Sequence, residues 1–362
     1  MTALAFDESE ALAASLRKVL QDRHDFAGAR ATALHEPADR LPALWRHLSD
    51  LGLNGLVVPE SHGGVGGGMA DLQRVQRELG RALAVSPWFE SMLCARVLLQ
   101  AATAAQQDAW LASLVDGSMP LALAHREDDS PGGQAVVRAQ LEGDTWTLHG
   151  RKTTVLHAGA VQRYLVSAAD ADSGERWFMV DAVQAGISRD SYRLVDGSWA
   201  ADVRFDAASG ELLAGGSATD IADDLRAAAI AGLIAEAVGM AEAALEMTVQ
   251  HLRTRQQFGQ PLGENQSLRH RAAEMFIALE QARSAAEMAL EAVDGESPPE
   301  QAAQAQLVAC EALTWCLQQA IQLHGGMGMT AELPVGHFYL RMLVINALTG
   351  GAPAAIAQLV RA

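Results

Sequence analysis

The chain has 362 residues, 49% of them hydrophobic and 20% charged, with a formal net charge of −17. That length exceeds one compact core and predicts two or three domains, and the acidic balance excludes a nucleic-acid partner, which needs a basic face to neutralise phosphates. No stretch offers the roughly 18 to 20 unbroken apolar residues of a membrane span.

The start Met1-Thr2-Ala3-Leu4-Ala5-Phe6-Asp7-Glu8 is acidic and lacks the basic-then-apolar order of a secretion signal, so the expected compartment is the cytoplasm. Residues 1–118 read as helical, with amphipathic runs from Glu10 to Leu20, Leu41 to Leu51 and Asp71 to Leu83, punctuated by Pro37, Pro42, Pro59 and Pro87. The glycine-rich stretch Ser61-His62-Gly63-Gly64-Val65-Gly66-Gly67-Gly68 lacks the Lys-Ser/Thr of a phosphate-binding loop and reads as a flexible turn between helices.

From 119 to 212 the period shortens to that of strands: Leu121 to His125, Ala135 to Leu141, Thr145 to Leu148, Gln162 to Ala168, Trp177 to Val180 and Val203 to Phe205. Turn signals at Pro131-Gly132-Gly133, Glu142-Gly143-Asp144 and Asp196-Gly197 separate them as in a small antiparallel barrel, with Trp146 and Trp177 as core. From 213 to 362 the pattern returns to helix, with runs Ile221 to Arg255, Gln266 to Val293, Pro299 to Leu323 and a last one after Pro334, and a loop at Asp294 to Pro298. This is the pattern of a four-helix bundle. Cys94, Cys310 and Cys316 lie on apolar helical sequence and read as buried free thiols, and no His/Cys/Asp cluster has metal-ligand spacing. The fold class expected is α+β, mainly α.

Three motifs carry a specific signal. They are Pro59-Glu60-Ser61-His62-Gly63-Gly64, the turn Arg255-Gln256-Gln257-Phe258-Gly259 with Gln266 after it, and Gln322-Leu323-His324-Gly325-Gly326-Met327-Gly328. With the helix, barrel, bundle order they make the chain resemble acyl-CoA dehydrogenases over essentially its whole length. The likeness extends to small subunits of pimeloyl-CoA dehydrogenases in Gln21-Asp22-Arg23-His24-Asp25-Phe26, Val155-Leu156-His157, Ala235-Glu236-Ala237-Val238-Gly239 and Gln319 to Gly326.

The resemblance implies FAD chemistry: a carboxylate removes the α proton of an acyl-CoA thioester while the β hydrogen leaves as hydride to the flavin. It also implies that FAD lies across a subunit interface, its diphosphate and adenosine held through Arg255, Phe258, Gln266, Gln322, Leu323, His324, Gly325 and Gly326. A guanidinium pairs bidentately with phosphate oxygens, and glycines let backbone amides approach. The same residues have a plainer reading, in which Arg255 caps a helix, Phe258 is core and the glycines only break a helix.

The flavin-ring half matches poorly. Ala124-His125-Arg126-Glu127 followed by Asp128-Asp129-Ser130 stands where the family has Thr-Glu and then Gly-Ser-Asp, and Thr154-Val155-Leu156 stands where it has Trp-x-Thr or Trp-x-Ser. The two positions at which the family keeps its base are Thr349 and Ala229. Glu236 is the candidate base that remains, two turns along the helix from Ala229, about 10 Å and too far for an unchanged substrate pose. Its alternative role is a buried structural charge paired with an arginine such as Arg226 or Arg271, and His324 and His157 read as satisfied polar groups.

The expected function is therefore one subunit of an FAD-dependent acyl-CoA dehydrogenase, in first place the small subunit of a two-plus-two heterotetramer. The alternatives are a self-sufficient homotetramer using Glu236 and a flavin-free acyl-CoA-binding scaffold. The resemblance further implies an electron-transfer flavoprotein as acceptor and tilts the substrate toward a dicarboxyl-CoA.

Overall fold

The computed structural model describes residues 4–24, 26, 37–127, 137–171, 174–215, 218–294 and 299–361. The Asp128-Asp129-Ser130 segment, the turn at Pro131-Gly132-Gly133, the first residues of the strand expected from Ala135, Asp25 and the Gly295 to Pro298 loop lie outside them. The described chain groups into two compact units. One takes in residues 32–68 and 85–225, the other 5–31, 69–84 and 226–362.

In the first unit, helices α2 (Ala43–Asp50), α4 (Trp88–Ala101) and α5 (Ala104–Val115) accompany strands β1 (Leu121–Ala124), β2 (Arg138–Glu142), β3 (Thr145–Leu156), β4 (Arg163–Asp170), β5 (Gly174–Asp181), β6 (Ile187–Arg193) and β7 (Trp199–Leu212). Strands β4, β2, β3, β7 and β5 pair in a closed ring, with β1 beside β4 and β6 beside β7. Most pairings are antiparallel, and β4 runs parallel to β1 and β2. Inward positions alternate as the strand period requires, so Leu148, Val155, Tyr164, Val166, Phe178, Val180, Val203 and Phe205 fill the barrel. Trp177 is buried as expected; Trp146 packs at the margin of this core.

The glycine-rich stretch is tightly built rather than flexible. The amides of Gly64, Val65, Gly66 and Gly67 donate to the carbonyls of Pro59, Gly55, Val58 and Leu56, so they are spent within the chain and not offered to a phosphate.

In the second unit α1 (Phe6–Arg23) and α3 (Met69–Arg81) join α6 (Ala218–Thr254, from Arg226 on), α7 (Gln266–Asp294), α8 (Pro299–His324), α9 (Pro334–Thr349) and α10 (Gly351–Arg361). On α3, Leu72, Val75 and Leu79 recur at helical spacing on the buried face. The run expected after Pro334 is two helices, broken where Gly350 and Gly351 both take positive φ, 75° and 55°. Two helical stretches, Asp220–Thr254 and Pro334–Val360, do reach membrane-span length and hydropathy, a correction to the expectation of none. In the first, 89% of its apolar 18-residue window is buried within the protein; in the second 22% is, and that stretch contains the Gly350–Gly351 break. The three cysteines are buried free thiols, with burial pushing Cys310 up to about 11 and Cys316 to about 12.

Candidate functional site

Arg255 follows the last turn of α6, its N–H bonded to the carbonyl of His251 at 2.9 Å. The chain then forms a two-residue hairpin between Gln256–Gln257 and Gln260–Pro261. Its turn residues, Phe258 at φ 52° and Gly259 at φ 80°, both adopt left-handed backbone, which glycine accepts readily and phenylalanine does not. Phe258 is 100% exposed, which removes the reading of it as core. Gln266 opens α7 and is exposed, with Nε2 3.5 Å from His270 Nε2.

At the end of α8, Gln322, Gly325 and Gly326 are exposed, and Leu323 and His324 turn inward. A side chain built at Gly325 or Gly326 would meet nothing within 4 Å, so this backbone faces open space. The rings of His251 and His324 lie 4.6 Å apart, which brings the Arg255 segment and the glycine loop side by side. Of the eight predicted residues six are exposed; the structure brings the Arg255 turn beside the Leu323-to-Gly326 loop through the His251–His324 contact, and Gln266 stands at a third helix end, the start of α7.

Glu236 is placed differently. It is 5% exposed, and both carboxylate oxygens are taken: Arg341 Nε donates to Oε1 at 2.6 Å, while a second Arg341 nitrogen at 3.1 Å and Gln76 Nε2 at 2.8 Å donate to Oε2. Its arginine partner is Arg341, in place of the expected Arg226 or Arg271. Thr349 caps its own turn, the hydroxyl donating to Ile345 O at 3.0 Å and the carbonyl accepting from Gln306 at 3.0 Å. It also lines an apolar cavity of about 10 Å³, with Ile230, Leu233 and Met342 among its walls, room for one water at most.

A second buried carboxylate escaped sequence reading. Glu242, 4% exposed, accepts from Arg77, Arg81 and Arg283. Burial alone would raise its pKa, but these donors hold it below the usual carboxylate range. Its signal was an acid between Ala241 and Ala243 on an Ala-rich helix, with every partner distant in sequence.

In the barrel unit the expected ring positions hold a charged network. Lys152, 1% exposed, donates to Glu127 at 2.5 Å and Ser167 at 3.1 Å; His125 Nδ1 lies 3.0 Å from the same hydroxyl, and its ring stacks on Trp177 at 5.5 Å. Burial, with Lys152 and Arg126 nearby, pushes His125 from its ordinary value of 6.5 down to about 4. The unfolded chain therefore binds this proton first, so stability present above pH 6.5 is lost as pH falls toward 4. Replacing His125 by Gln should flatten the unfolding-temperature profile across that window; an unchanged slope would contradict it. Thr154 sits at φ 51°, its N–H on Asp202 at 3.1 Å and its hydroxyl 3.2 Å from Tyr192.

Comparison with known proteins bears on this arrangement. The acyl-CoA dehydrogenase N-terminal domain matches residues 7–118 and the acyl-CoA dehydrogenase C-terminal domain residues 229–361. The acyl-CoA dehydrogenase IpdE2 of Mycobacterium tuberculosis is 33% identical over 300 residues, covering 83% of this chain and 79% of its own. The chain belongs to the acyl-CoA dehydrogenase family. Among solved structures, the Tcur3481-Tcur3483 steroid ACAD is 30% identical with a TM-score of 0.88, covering 98% of this chain and 97% of that one. The ChsE4-ChsE5 complex from Mycobacterium tuberculosis is 25% identical with a TM-score of 0.90, covering 100% and 98%.

As an acyl-CoA dehydrogenase, the protein is an FAD-dependent oxidoreductase, and the question becomes which parts of an FAD site this chain offers. The open glycine backbone, the exposed Arg255 and the uncovered Phe258 ring fit a diphosphate and an adenosine. At the ring positions the described residues present Arg126, His125 and a paired Lys152, with no hydroxyl at Arg126 or Leu156 and no aromatic at Thr154. Among the described residues no cluster of His, Cys, Asp or Glu is placed to hold a metal.

Proposed function

We propose that this chain is the small subunit of a heteromeric acyl-CoA dehydrogenase, lending Arg255, Phe258, Gln266, Gln322 and the Leu323-His324-Gly325-Gly326 backbone to an FAD whose ring and base belong to a larger partner. The observation that carries the reading is a contrast. Six of the eight residues assigned to the nucleotide are exposed, while Glu236, the candidate base, has both oxygens engaged by Arg341 and Gln76. FAD, when bound, supplies the hydride acceptor. This chain's part is to fix the diphosphate by charge and to shield the adenosine with an aromatic face. The two similar solved structures each carry a pair of protein names, which supports an assembly of two different subunits.

The acyl pocket then belongs to the partner. The steroid enzyme among the neighbours and the pimeloyl-CoA resemblance favour different acyl groups, so a panel of CoA thioesters on the assembled complex decides. An electron-transfer flavoprotein as acceptor and a cytoplasmic location complete the reading.

The test is the FAD content and visible spectrum of the chain purified alone and with the product of an adjacent acyl-CoA dehydrogenase gene. Colour and activity should appear only in the complex, and an active yellow homomer would overturn the proposal. Arg255→Ala should remove a charge-assisted contact of about 1.5 to 3 kcal/mol and loosen FAD in the complex by roughly ten- to a hundredfold. Unchanged flavin retention after dialysis would refute the role of Arg255.

A further inference from the structure

Two helix ends have to stay in register for the nucleotide grip to work, and a side-chain contact links them. Arg255 follows α6, and Gly325 and Gly326 follow α8, on segments 70 residues apart in sequence. What joins them is a ring pair. His251, one turn before Arg255, lies with its ring centroid 4.6 Å from that of His324, the last residue of α8, at an interplanar angle of 30°.

The orientation of His324 is fixed from its own helix. Its Nδ1 lies 2.8 Å from the carbonyl of Ala320, and since a carbonyl only accepts, Nδ1 carries the proton and donates. His324 is 6% exposed, so the imidazole is a wedge between its helix and His251 rather than a group reaching for solvent. On the other side, the N–H of Arg255 bonds to the carbonyl of His251 at 2.9 Å, so a shift of His251 is passed to the backbone that aims the guanidinium. Burial, then the neighbouring His324 and Arg255, lower the pKa of His251, which favours the neutral ring that stacks best.

We propose that His251 is a positioning residue for the FAD diphosphate. By stacking on His324 it locks the Arg255 turn to the Gly325–Gly326 loop, so that the guanidinium and the open glycine backbone address one ligand together. The inference rests on the proposed role of Arg255 and the glycine loop in holding FAD.

The experiment uses the flavin-loaded assembly, stripped and retitrated with FAD and, separately, with FMN, which carries the ring but lacks the adenosine and the second phosphate. His251→Ala should lower the affinity for FAD relative to FMN by about three- to tenfold, the scale of a lost aromatic pair, and leave FMN affinity unchanged. His251→Phe keeps a flat ring at the position and should restore the ratio to within about twofold of wild type. A His251→Ala variant that binds FAD and FMN in the wild-type ratio would overturn the proposal, as would one that weakens both ligands equally, since that is the mark of a general structural role. Arg255→Ala in the same titration separates the two readings. If it lowers the ratio and His251→Ala does not, only the positioning role fails; if neither moves the ratio, the grip itself is misassigned.

Discussion

Replacing Arg341 by Leu should destabilise the protein by about 3 to 5 kcal/mol, the usual cost of leaving a buried carboxylate without its partner. Arg341 and Glu236 have side chains only 6% exposed each, so water cannot take over the lost hydrogen bonds. Changing both residues to Leu should recover much of that loss, because a well-packed apolar pair avoids desolvating two ions. Recovery should be incomplete, since Gln76 Nε2 then loses its acceptor while Gln76 Oε1 is already buried without a donor. Urea unfolding of the three variants measures this. A single-variant loss below about 1 kcal/mol would mean that the carboxylate does not depend on Arg341 and is free for chemistry. The catalytic counterpart is Glu236→Gln in the assembled enzyme, expected to keep turnover within about tenfold; a fall of 10² or more with FAD still bound would restore Glu236 as the base.

Gly239→Ala should be strongly destabilising, although the same change in most helix interiors stabilises by about 0.5 to 1 kcal/mol. At Gly239 a Cβ would sit 2.0 Å from the carbonyl oxygen of Arg77, and at Gly80 one would sit 2.1 Å from that of Glu236. Helices α3 and α6 therefore cross backbone to backbone, and the methyl can be accommodated only by moving a helix. Overpacking of about 1 to 3 kcal/mol is a lower bound here, since backbone cannot rotate away as a side chain does. Separation would also strain the Arg77 and Arg81 bonds to Glu242, making a loss of about 4 kcal/mol or more the expected result. An unfolding temperature within a degree or two of wild type would show that the crossing is looser than these distances.

Periodicity found most of the architecture because most elements bury one face. It failed for β6, whose residues Ile187–Arg193 are largely exposed along an edge and so carry no apolar alternation. It also cut β3 short at Leu148, where a strand bulge at Leu148/Gly150 and another at Lys152/Val155 break the period of two. The residues of the proposed nucleotide grip came from the family resemblance, whose motifs lie within short local segments. The partner of Glu236 was not legible, for Arg341 lies 105 residues away and helical spacing reports only neighbours three or four apart. The His251–His324 contact is invisible for the same reason.

The hairpin tip at Phe258 has a consequence for supply inside the cell. A phenylalanine held at φ 52° and fully exposed is apolar surface that, in the proposed assembly, the partner and its nucleotide cover. Copies of the chain synthesised beyond the amount of that covering molecule would display adhesive tips, open to self-association and to clearance by proteases and chaperones. Expression of this polypeptide is therefore best matched in stoichiometry to whatever shields Phe258, and its soluble yield in a heterologous host should rise when that molecule is made alongside it.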